Sequence, residues 1–376
     1  MAVSELQDFL RSHEDWEDLL SKEPYSLKIK RSSFDDGRYV MFNYDMINSN
    51  NYEKIVSEAR GIVFDSKDWS IVRRGFDRFF NIGEGPAAKI DWSSANATIK
   101  EDGTLIFVSY YGNQYHIGSR QNFDLSDASI GDGSLFPQTF EKLWVDTLDK
   151  YYLNFSMMFP SVLNKDYTYC FELCSRFNRI VIDYEQPKIF LLTARNNITG
   201  EELSFEKIRN LASVYHVDTP AFYSMSSQED YEKLVGSFGI EHEGIVVRDA
   251  NDQRLKMKTK LYFDLHKSVS NGAMTEEAMV NLVRSGEDAE FLSYFPEYLT
   301  KFEEVKKQVK EAYVRIHVIK GVTNQERNLP RKEFAMIHKD ERDAMLWFKA
   351  LENKLTDDYI ASITDEKFIQ LFFDRK

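Results

Sequence analysis

The sequence predicts an α+β protein of mainly antiparallel sheets with helices, followed by a small all-α C-terminal domain. From Tyr25 to about Leu265, short β-branched and aromatic runs alternate with turn signals. Helical patterns interrupt these runs, and together they indicate an α+β layout with mainly antiparallel pairing. After His266 the strand-like runs stop, and apolar residues recur at helical spacing.

The composition is that of a globular protein with an acidic balance. The chain has 376 residues, which favours two or three domains, and its 43% apolar content with 28 Phe and 20 Tyr can fill a core. The formal net charge of -13 argues against a large DNA-coating surface. It still allows a local basic groove, and it suits a site that collects divalent metal.

Features of the sequence favour a reducing compartment. The two cysteines, Cys170 and Cys174, lie four apart on a predicted strand. They would be roughly 13 Å apart there, too far for a disulfide. The N-terminus lacks the pattern of a signal peptide, and no stretch reaches the ~18 apolar residues of a membrane span. We therefore expect a cytoplasmic protein without a membrane segment.

The chain is expected to open with one amphipathic helix that ends near Pro24. Ser4 and Gln7 form a capping-box pattern, and apolar residues then fall on one helical face. Further on, Thr104–Tyr110 and Gln114–Ser119 flank Gly112-Asn113, which predicts a hairpin. The other predicted strands and helices are Ala95–Ile99, Tyr167–Leu173, Lys188–Arg195, Gly244–Arg248, Arg254–Lys258, Phe205–Tyr215 and Gln228–Phe238.

The C-terminal region is predicted to be a helical domain. Its apolar residues at helical spacing are Phe302, Val305, Val309, Tyr313, Ile316, Met345, Phe348, Leu351 and Leu355. The Ser/Asn/Gly-rich stretch Ser268–Gly272 marks the boundary. We therefore divide the chain into residues 1–267 and 268–376.

Lys100-Glu101-Asp102-Gly103 is the first segment that suggests chemistry. It follows a predicted strand, so the lysine would be held beside a tight turn. A free lysine has a pKa of about 10.4 and is a poor nucleophile, and nearby cations or a metal would lower that pKa. Taken alone, the segment is better explained as an exposed turn.

Three further segments acquire a meaning beside the first. Glu172 lies in an otherwise apolar strand, Glu243 opens a strand, and Lys256 and Lys258 alternate on one strand face. Each alone has a structural explanation, as a solvent-facing or turn residue. Together they fit nucleotidyl transfer through a phosphoramidate, in which a lysine attacks a phosphate, cations neutralise it and carboxylates hold Mg²⁺. No phosphate-loop, zinc or serine-hydrolase motif is present.

The order of these segments resembles the covalent nucleotidyltransferase superfamily of ATP-dependent DNA and RNA ligases and mRNA capping enzymes. The closest resemblance is to the first class of phage RNA ligases, which repair cleaved tRNA. It covers roughly residues 35 to 266. The segments that carry it are Glu58-Ala59-Arg60-Gly61-Ile62-Val63-Phe64, Phe79-Phe80-Asn81, Lys100-Glu101-Asp102-Gly103, Asn178-Arg179-Ile180-Val181, Tyr262 and Leu265-His266.

The resemblance implies a role for each residue of the site. Residues 1–267 would be the ligase adenylation domain, with an N-terminal elaboration of helices and strands. Lys100 would be the nucleophile that carries AMP. The implied ATP- or AMP-binding residues are Arg60, Arg78, Lys100, Glu172, Lys256 and Lys258, and the implied metal-binding residues are Asp102, Glu172 and Glu243.

The chain departs from the family pattern at two cations. Arg78 stands where the family has lysine, and Ser119-Arg120 stands where a Ser-Lys pair is expected. Arginine still binds phosphate, but with a planar fork instead of a point charge. Ser119, Arg120 and Glu101 complete the set of candidate site residues.

The implied function is ATP-dependent joining of RNA 5′-phosphate and 3′-hydroxyl ends through lysyl-AMP and adenylylated RNA. The resemblance implies ATP as substrate, Mg²⁺ or Mn²⁺ as metal, and single-stranded or nicked RNA, with tRNA among the candidates. A monomer is expected, in the host cytoplasm if the origin is a phage. The alternatives are a DNA ligase, a GTP-using capping-type enzyme and a non-catalytic RNA-binding protein.

Overall fold

The computed structural model describes residues 3–130, 139–178, 182, 184–239, 241–260, 262, 275–294, 298–339 and 341–373. The chain divides into two compact units, Met1–His266 and Lys267–Lys376. The stretch Ser268–Gly272, at which we predicted a boundary, lies outside the described residues. Each unit is described by itself.

The first sheet of the N-terminal unit is antiparallel, in the order β1-β2-β3-β4. Its strands and the three helices that share its core are β1 (Lys28–Arg31), β2 (Tyr39–Asn43), β3 (Arg60–Asp65), β4 (Ser70–Arg73), α1 (Glu5–Ser12), α2 (Trp16–Leu20) and α3 (Lys54–Glu58). The Ser4 hydroxyl caps α1 by accepting the Gln7 N–H, as predicted.

The prediction of one long N-terminal helix is wrong. The helix breaks at His13, whose backbone is extended and whose N–H and ring Nδ1 both contact the Phe9 carbonyl oxygen. The apolar face continues on α2 because Trp16 and Leu20 reach the same core as Leu6 and Leu10. Helical spacing therefore persisted across a change of direction that it could not reveal.

The second sheet is antiparallel and has the order β10-β9-β7-β8. The predicted hairpin is confirmed, since β7 and β8 pair across Gly112 and Asn113, which both have positive φ. Helices cover a core that contains Trp144, Phe155 and Phe171. The elements are β7 (Thr104–Tyr111), β8 (Gln114–Ser119), β9 (Tyr167–Cys174), β10 (Lys188–Asn196), α4 (Phe140–Tyr151), α5 (Leu153–Met158) and α6 (Phe205–Tyr215).

The third sheet has the order β11-β6-β12-β13-β5. Its pairings are antiparallel except that β5 runs parallel to β13. The elements are β5 (Phe80–Asn81), β6 (Asn96–Lys100), β11 (Phe222–Ser224), β12 (Gly244–Arg248), β13 (Arg254–Lys258) and α7 (Gln228–Gly236). At one end of the sheet, Gly244 pairs with both Lys100 and Lys258.

The described part of the C-terminal unit is helical. Its helices are α8 (Glu276–Ser285), α9 (Asp288–Tyr294), α10 (Leu299–Glu326), α11 (Arg331–His338), α12 (Ala344–Leu351), α13 (Asp357–Ser362) and α14 (Asp365–Phe372). The predicted spacing from Phe302 to Ile316 lies on α10, whereas Leu355 is buried in the segment after α12. None of the described helices has the length and apolar character to cross a bilayer.

Candidate functional site

Three charged side chains meet where β6 and β13 end and β12 begins. The Lys100 ammonium lies 2.7 Å from Glu243 Oε1, and the Lys258 ammonium lies 2.9 Å from the same oxygen. Strand register explains the meeting, because Lys100 and Lys258 are both paired with Gly244, the neighbour of Glu243. The structure thus brings together three residues of which the first and the last, Lys100 and Lys258, are 158 positions apart in the sequence.

The electrostatics of this cluster differ from the sequence-based expectation for Lys100. Burial alone would lower the pKa of Lys100, but the Glu243 carboxylate, with a smaller contribution from Glu172, outweighs it and the pKa is raised. Burial would likewise raise the pKa of Glu243, but Lys100 and Lys258 hold it below its usual range. In the chain without nucleotide, Lys100 is therefore an ammonium ion, and a nucleophilic amine requires that its pairing with Glu243 be weakened.

Glu243 also has an oxygen that no neighbour uses. The side chain is 2% exposed, and its Oε2 is buried with no hydrogen-bond partner among the described residues. A buried carboxylate oxygen normally has a partner, because desolvation without one is costly. This oxygen is therefore a candidate ligand for a cation.

Glu172 projects from β9 into the same charged region. Burial raises the pKa of Glu172 to about 8, although Lys100 opposes that rise. The carboxyl group is therefore largely protonated at neutral pH in the chain alone, and it can donate a hydrogen bond as well as accept one. Binding of a cation would instead favour the carboxylate.

Asp102 orders the turn that follows Lys100. Its Oδ2 accepts the Ile182 N–H at 2.7 Å, and its Oδ1 accepts the Tyr262 hydroxyl at 3.1 Å. Its own N–H donates to the Tyr184 hydroxyl at 3.0 Å. Both carboxylate oxygens are thus engaged by the protein, and the metal-binding role suggested for Asp102 stays a prediction.

A second cluster consists of cations around Tyr44, a residue that sequence reasoning missed. The Arg120 Nη1 donates to the Tyr44 hydroxyl at 2.5 Å, and the Arg78 guanidinium lies 4.0 Å from the centre of the Tyr44 ring. Burial would raise the pKa of Tyr44, but Arg120, Arg60, Arg78 and Lys256 together lower it. These four cations are far apart in the sequence and meet only in the folded structure. No local sequence pattern therefore indicated a role for Tyr44.

Arg60 is held at the edge of this cluster by an aromatic ring. Its guanidinium lies 4.6 Å from the centre of the Phe76 ring, a favourable cation–π distance. The Nη1 group of Arg60 is buried with no hydrogen-bond partner among the described residues. Such a donor is available to an anion.

Ser119 and Glu101, two further candidates, have local partners. The Ser119 hydroxyl accepts the N–H groups of Gln121 and Asn122 and so serves its own turn. Glu101 accepts the Tyr184 hydroxyl at 2.9 Å, and burial raises the pKa of Glu101 to about 7. Glu101 and Lys100 both line a cavity of about 450 Å³, whose other walls include Ile182 and Phe190.

Parts of two family-like segments lie outside the described residues, namely Arg179-Ile180-Val181 and Leu265-His266. The described neighbour Asn178 supports the β7–β9 region, since its Nδ2 donates to the Leu173 carbonyl oxygen at 2.7 Å. Tyr262 donates its hydroxyl to Asp102 Oδ1 at 3.1 Å. Within the described residues, no group of three or more His, Cys, Asp or Glu side chains forms a metal site.

Comparison with protein families identifies the class to which this fold and site belong. The RNA ligase family model of the T4 RNA ligase 1 type matches residues 58–265, more than half of the chain. The chain belongs to this RNA ligase family. The match extends from the Arg60 segment past Tyr262, so it includes the Lys100–Glu243–Lys258 cluster and the four cations of the second cluster, whereas Tyr44 itself precedes it.

Individual relatives share 30% or less of their aligned residues with this chain. A predicted bifunctional polynucleotide kinase/RNA ligase of Autographa californica nuclear polyhedrosis virus is 30% identical over 283 residues, which are 72% of this chain and 39% of the relative. An RNA ligase of Rhodothermus phage RM378 is 26% identical over 188 residues, 43% of this chain and 42% of the relative. The chain therefore spans about two fifths of the length of these relatives.

A solved archaeal ATP-dependent RNA ligase is 12% identical, with a TM-score of 0.48, over 97% of this chain and 83% of that one.

Proposed function

We propose that the chain is an ATP-dependent RNA ligase in which Lys100 forms the covalent bond to AMP. The observation that carries the proposal is the ion-paired position of Lys100 at a strand end, beside Glu243 and Lys258, in a chain of the RNA ligase family. In the first step the Lys100 amine bonds to the α-phosphorus of ATP, and the bond to pyrophosphate breaks. AMP then passes to an RNA 5′-phosphate, and a 3′-hydroxyl displaces it.

The two clusters would bind different parts of ATP. The cavity beside Lys100 and Glu101 is within the size range of small-molecule sites and suits the nucleoside. Lys258 would neutralise the α-phosphate, and the cations around Tyr44 would hold the departing phosphates. Lys256, which contributes to the lowered pKa of Tyr44, would act in the second group.

The residues present fit a divalent cation such as Mg²⁺ or Mn²⁺. The unpartnered Oε2 of Glu243 and the nearby carboxyl group of Glu172 would hold it, and ATP oxygens and water would complete its shell. When bound, it would supply charge stabilisation at the α-phosphate. Glu243 engaged in this way would pair less strongly with Lys100, which would let the Lys100 pKa fall as the reaction requires.

The proposed RNA is single-stranded or nicked, with cleaved tRNA as one candidate, and the proposed active form is a monomer in the cytoplasm of a host cell. Membership of the RNA ligase family supports RNA as the substrate.

The test is transfer of label from ATP to the protein. The chain is incubated with Mg²⁺ and ATP labelled at the α-phosphate, next to labelled GTP and the Lys100→Ala variant. We expect label from ATP alone and none in the variant. RNA and DNA of one sequence with pre-adenylylated 5′ ends then compare the sealing step, for which Lys100→Ala should still serve.

Other outcomes would redirect the proposal. Label from GTP would indicate a capping-type enzyme, and preferred sealing of DNA would indicate a DNA ligase. RNA binding without label, in a folded protein shown to be free of prebound AMP, would refute the ligase proposal and favour a binding protein.

A further inference from the structure

Arg73 is a fully buried arginine that has no carboxylate partner among the described residues. It ends β4 and is 0% exposed. Its fixed positive charge makes such burial costly unless its donors are satisfied. Its Nε and Nη1 groups have acceptors, whereas its Nη2 group is buried without a partner among the described residues.

The acceptors are backbone carbonyl oxygens from two segments that carry cations of the Tyr44 cluster. Arg73 Nε donates to Gly61 O at 3.0 Å, beside Arg60. Arg73 Nη1 donates to Asn122 O at 3.2 Å and to Phe123 O at 3.4 Å, just after Arg120. One guanidinium therefore links the backbones of two segments about 60 residues apart in the chain.

A glycine contact shows independently that these segments are pressed together. Gly61 has a φ of +73°, and a Cβ there would lie 2.8 Å from the Arg120 carbonyl oxygen. Gly118 allows a similar approach, since a Cβ there would overlap the Arg73 Nη1. The backbone spacing between Arg60 and Arg120 is thus set by close contact on one side and by Arg73 on the other.

We propose that Arg73 is a positioning residue that holds Arg60 and Arg120 so that both guanidinium groups face one polyphosphate. This rests on the proposed function, in which the Tyr44 cluster receives the phosphates of ATP. Arg73 itself contacts no ligand. Its substitution lowers affinity for the anion by letting the two segments separate.

The experiment measures binding of inorganic tripolyphosphate by calorimetry. Arg73→Lys keeps the charge but loses the fork, and Arg73→Gln is a second variant in case one does not fold. We expect roughly tenfold weaker binding, as for loss of about one hydrogen bond to a charged group. Arg284→Lys is the matched control, because Arg284 also donates to backbone carbonyl oxygens, those of Ile363 and Ile360, but lies in the C-terminal unit.

A double-variant cycle with Arg120→Gln distinguishes positioning from general loss of stability. If Arg73 acts through Arg120, the two changes together weaken binding by less than the product of their separate factors. The proposal is overturned if the double variant weakens binding by the full product of the two separate factors. It is also overturned if Arg73→Lys binds tripolyphosphate as tightly as the wild type, or if the wild type does not bind it. Tripolyphosphate binding without any transfer of label from ATP would instead refute the proposed ligase activity and leave the role of Arg73 standing.

Discussion

At the scale of single residues, the site is organised by unusual protonation. Glu243 stays ionised although it is buried, because two ammonium groups face it, whereas the neighbouring Glu172 has a pKa of about 8. Two carboxyl groups in one region thus have different charge states at neutral pH. The difference gives them distinct roles, with Glu243 as the permanent acceptor and Glu172 as a group that can donate or accept.

The raised pKa of Glu172 predicts a pH-dependent stability. Between its ordinary pKa of 4.5 and about 8, the folded chain binds more protons at Glu172 than the unfolded chain does. Its contribution is therefore fully present below the unfolded pKa and is lost as the pH rises through about 8. Glu172→Gln, which mimics the neutral form, should gain roughly 1–2 kcal/mol relative to wild type between pH 5 and pH 9, allowing for partial exposure.

The measurement is denaturant unfolding at several pH values, without nucleotide or metal. The matched control is Glu229→Gln on α7, where the side chain is 75% exposed and little change with pH is expected. A stability difference between Glu172→Gln and wild type that stays constant with pH would contradict the assignment.

At the scale of elements, the turn between β6 and β7 fixes the position of Lys100, the proposed nucleophile. Gly103 packs so closely on β9 that a Cβ would overlap the Leu173 carbonyl oxygen and lie 2.7 Å from the Cys174 sulfur. Asp102 holds the same turn through three hydrogen bonds. The position of Lys100 therefore depends on the close contact between the turn at Gly103 and the backbone of β9.

Gly103→Ala should consequently destabilise the chain and slow its adenylylation. We expect a loss of about 2–3 kcal/mol, as for overpacking at a site whose obstacle is backbone. Thermal unfolding and the rate of label transfer at saturating ATP check this. Gly236→Ala is the control, because it ends α7 with nothing within 4 Å of its Cβ and should be neutral or slightly stabilising. Equal stability of the two variants would show that the turn can relax.

Strands were predicted well where local chemistry determines them. Gly112-Asn113 fixed the hairpin because both residues accept positive φ, and alternation with turn residues gave the limits of β12 and β13. The N-terminal helix failed because helical periodicity does not detect a bend at His13. Lys100 and Glu243 stay predictions that depended on the order of several motifs together, whereas Tyr44 and Arg73 depend on long-range burial that no local pattern encodes.

At the scale of the whole molecule, an acidic chain carries a confined basic region. The net charge is -13, yet four cations of the described chain converge on Tyr44. Screening limits the reach of such a cluster to about 10 Å at ordinary ionic strength. Its attraction for anions is therefore local, and the rest of the chain does not favour indiscriminate binding of nucleic acid.

The division into two compact units predicts that the first can act alone in the first step. A fragment of residues 1–266 contains both charged clusters and the cores of all three sheets. We expect it to unfold cooperatively and to take label from ATP at roughly the rate of the full chain, since domains with their own core can fold alone. Circular dichroism and label transfer test this, with Lys100→Ala in the fragment as the control. A soluble, folded fragment without label, next to a labelled full chain, would contradict the prediction.

The shared oxygen of Glu243 makes Lys100 dispensable to the architecture around it. Because Lys100 and Lys258 both bind Oε1, removal of either one leaves the buried carboxylate with a cation, whereas removal of Glu243 leaves two cations facing each other. The same redundancy would operate in the proposed reaction, because Lys258 would keep Glu243 compensated while Lys100 carries AMP. Tolerance of substitution is thus expected to be asymmetric, and the arrangement would let Lys100 be modified and released in each turnover without disturbing the sheet that presents it.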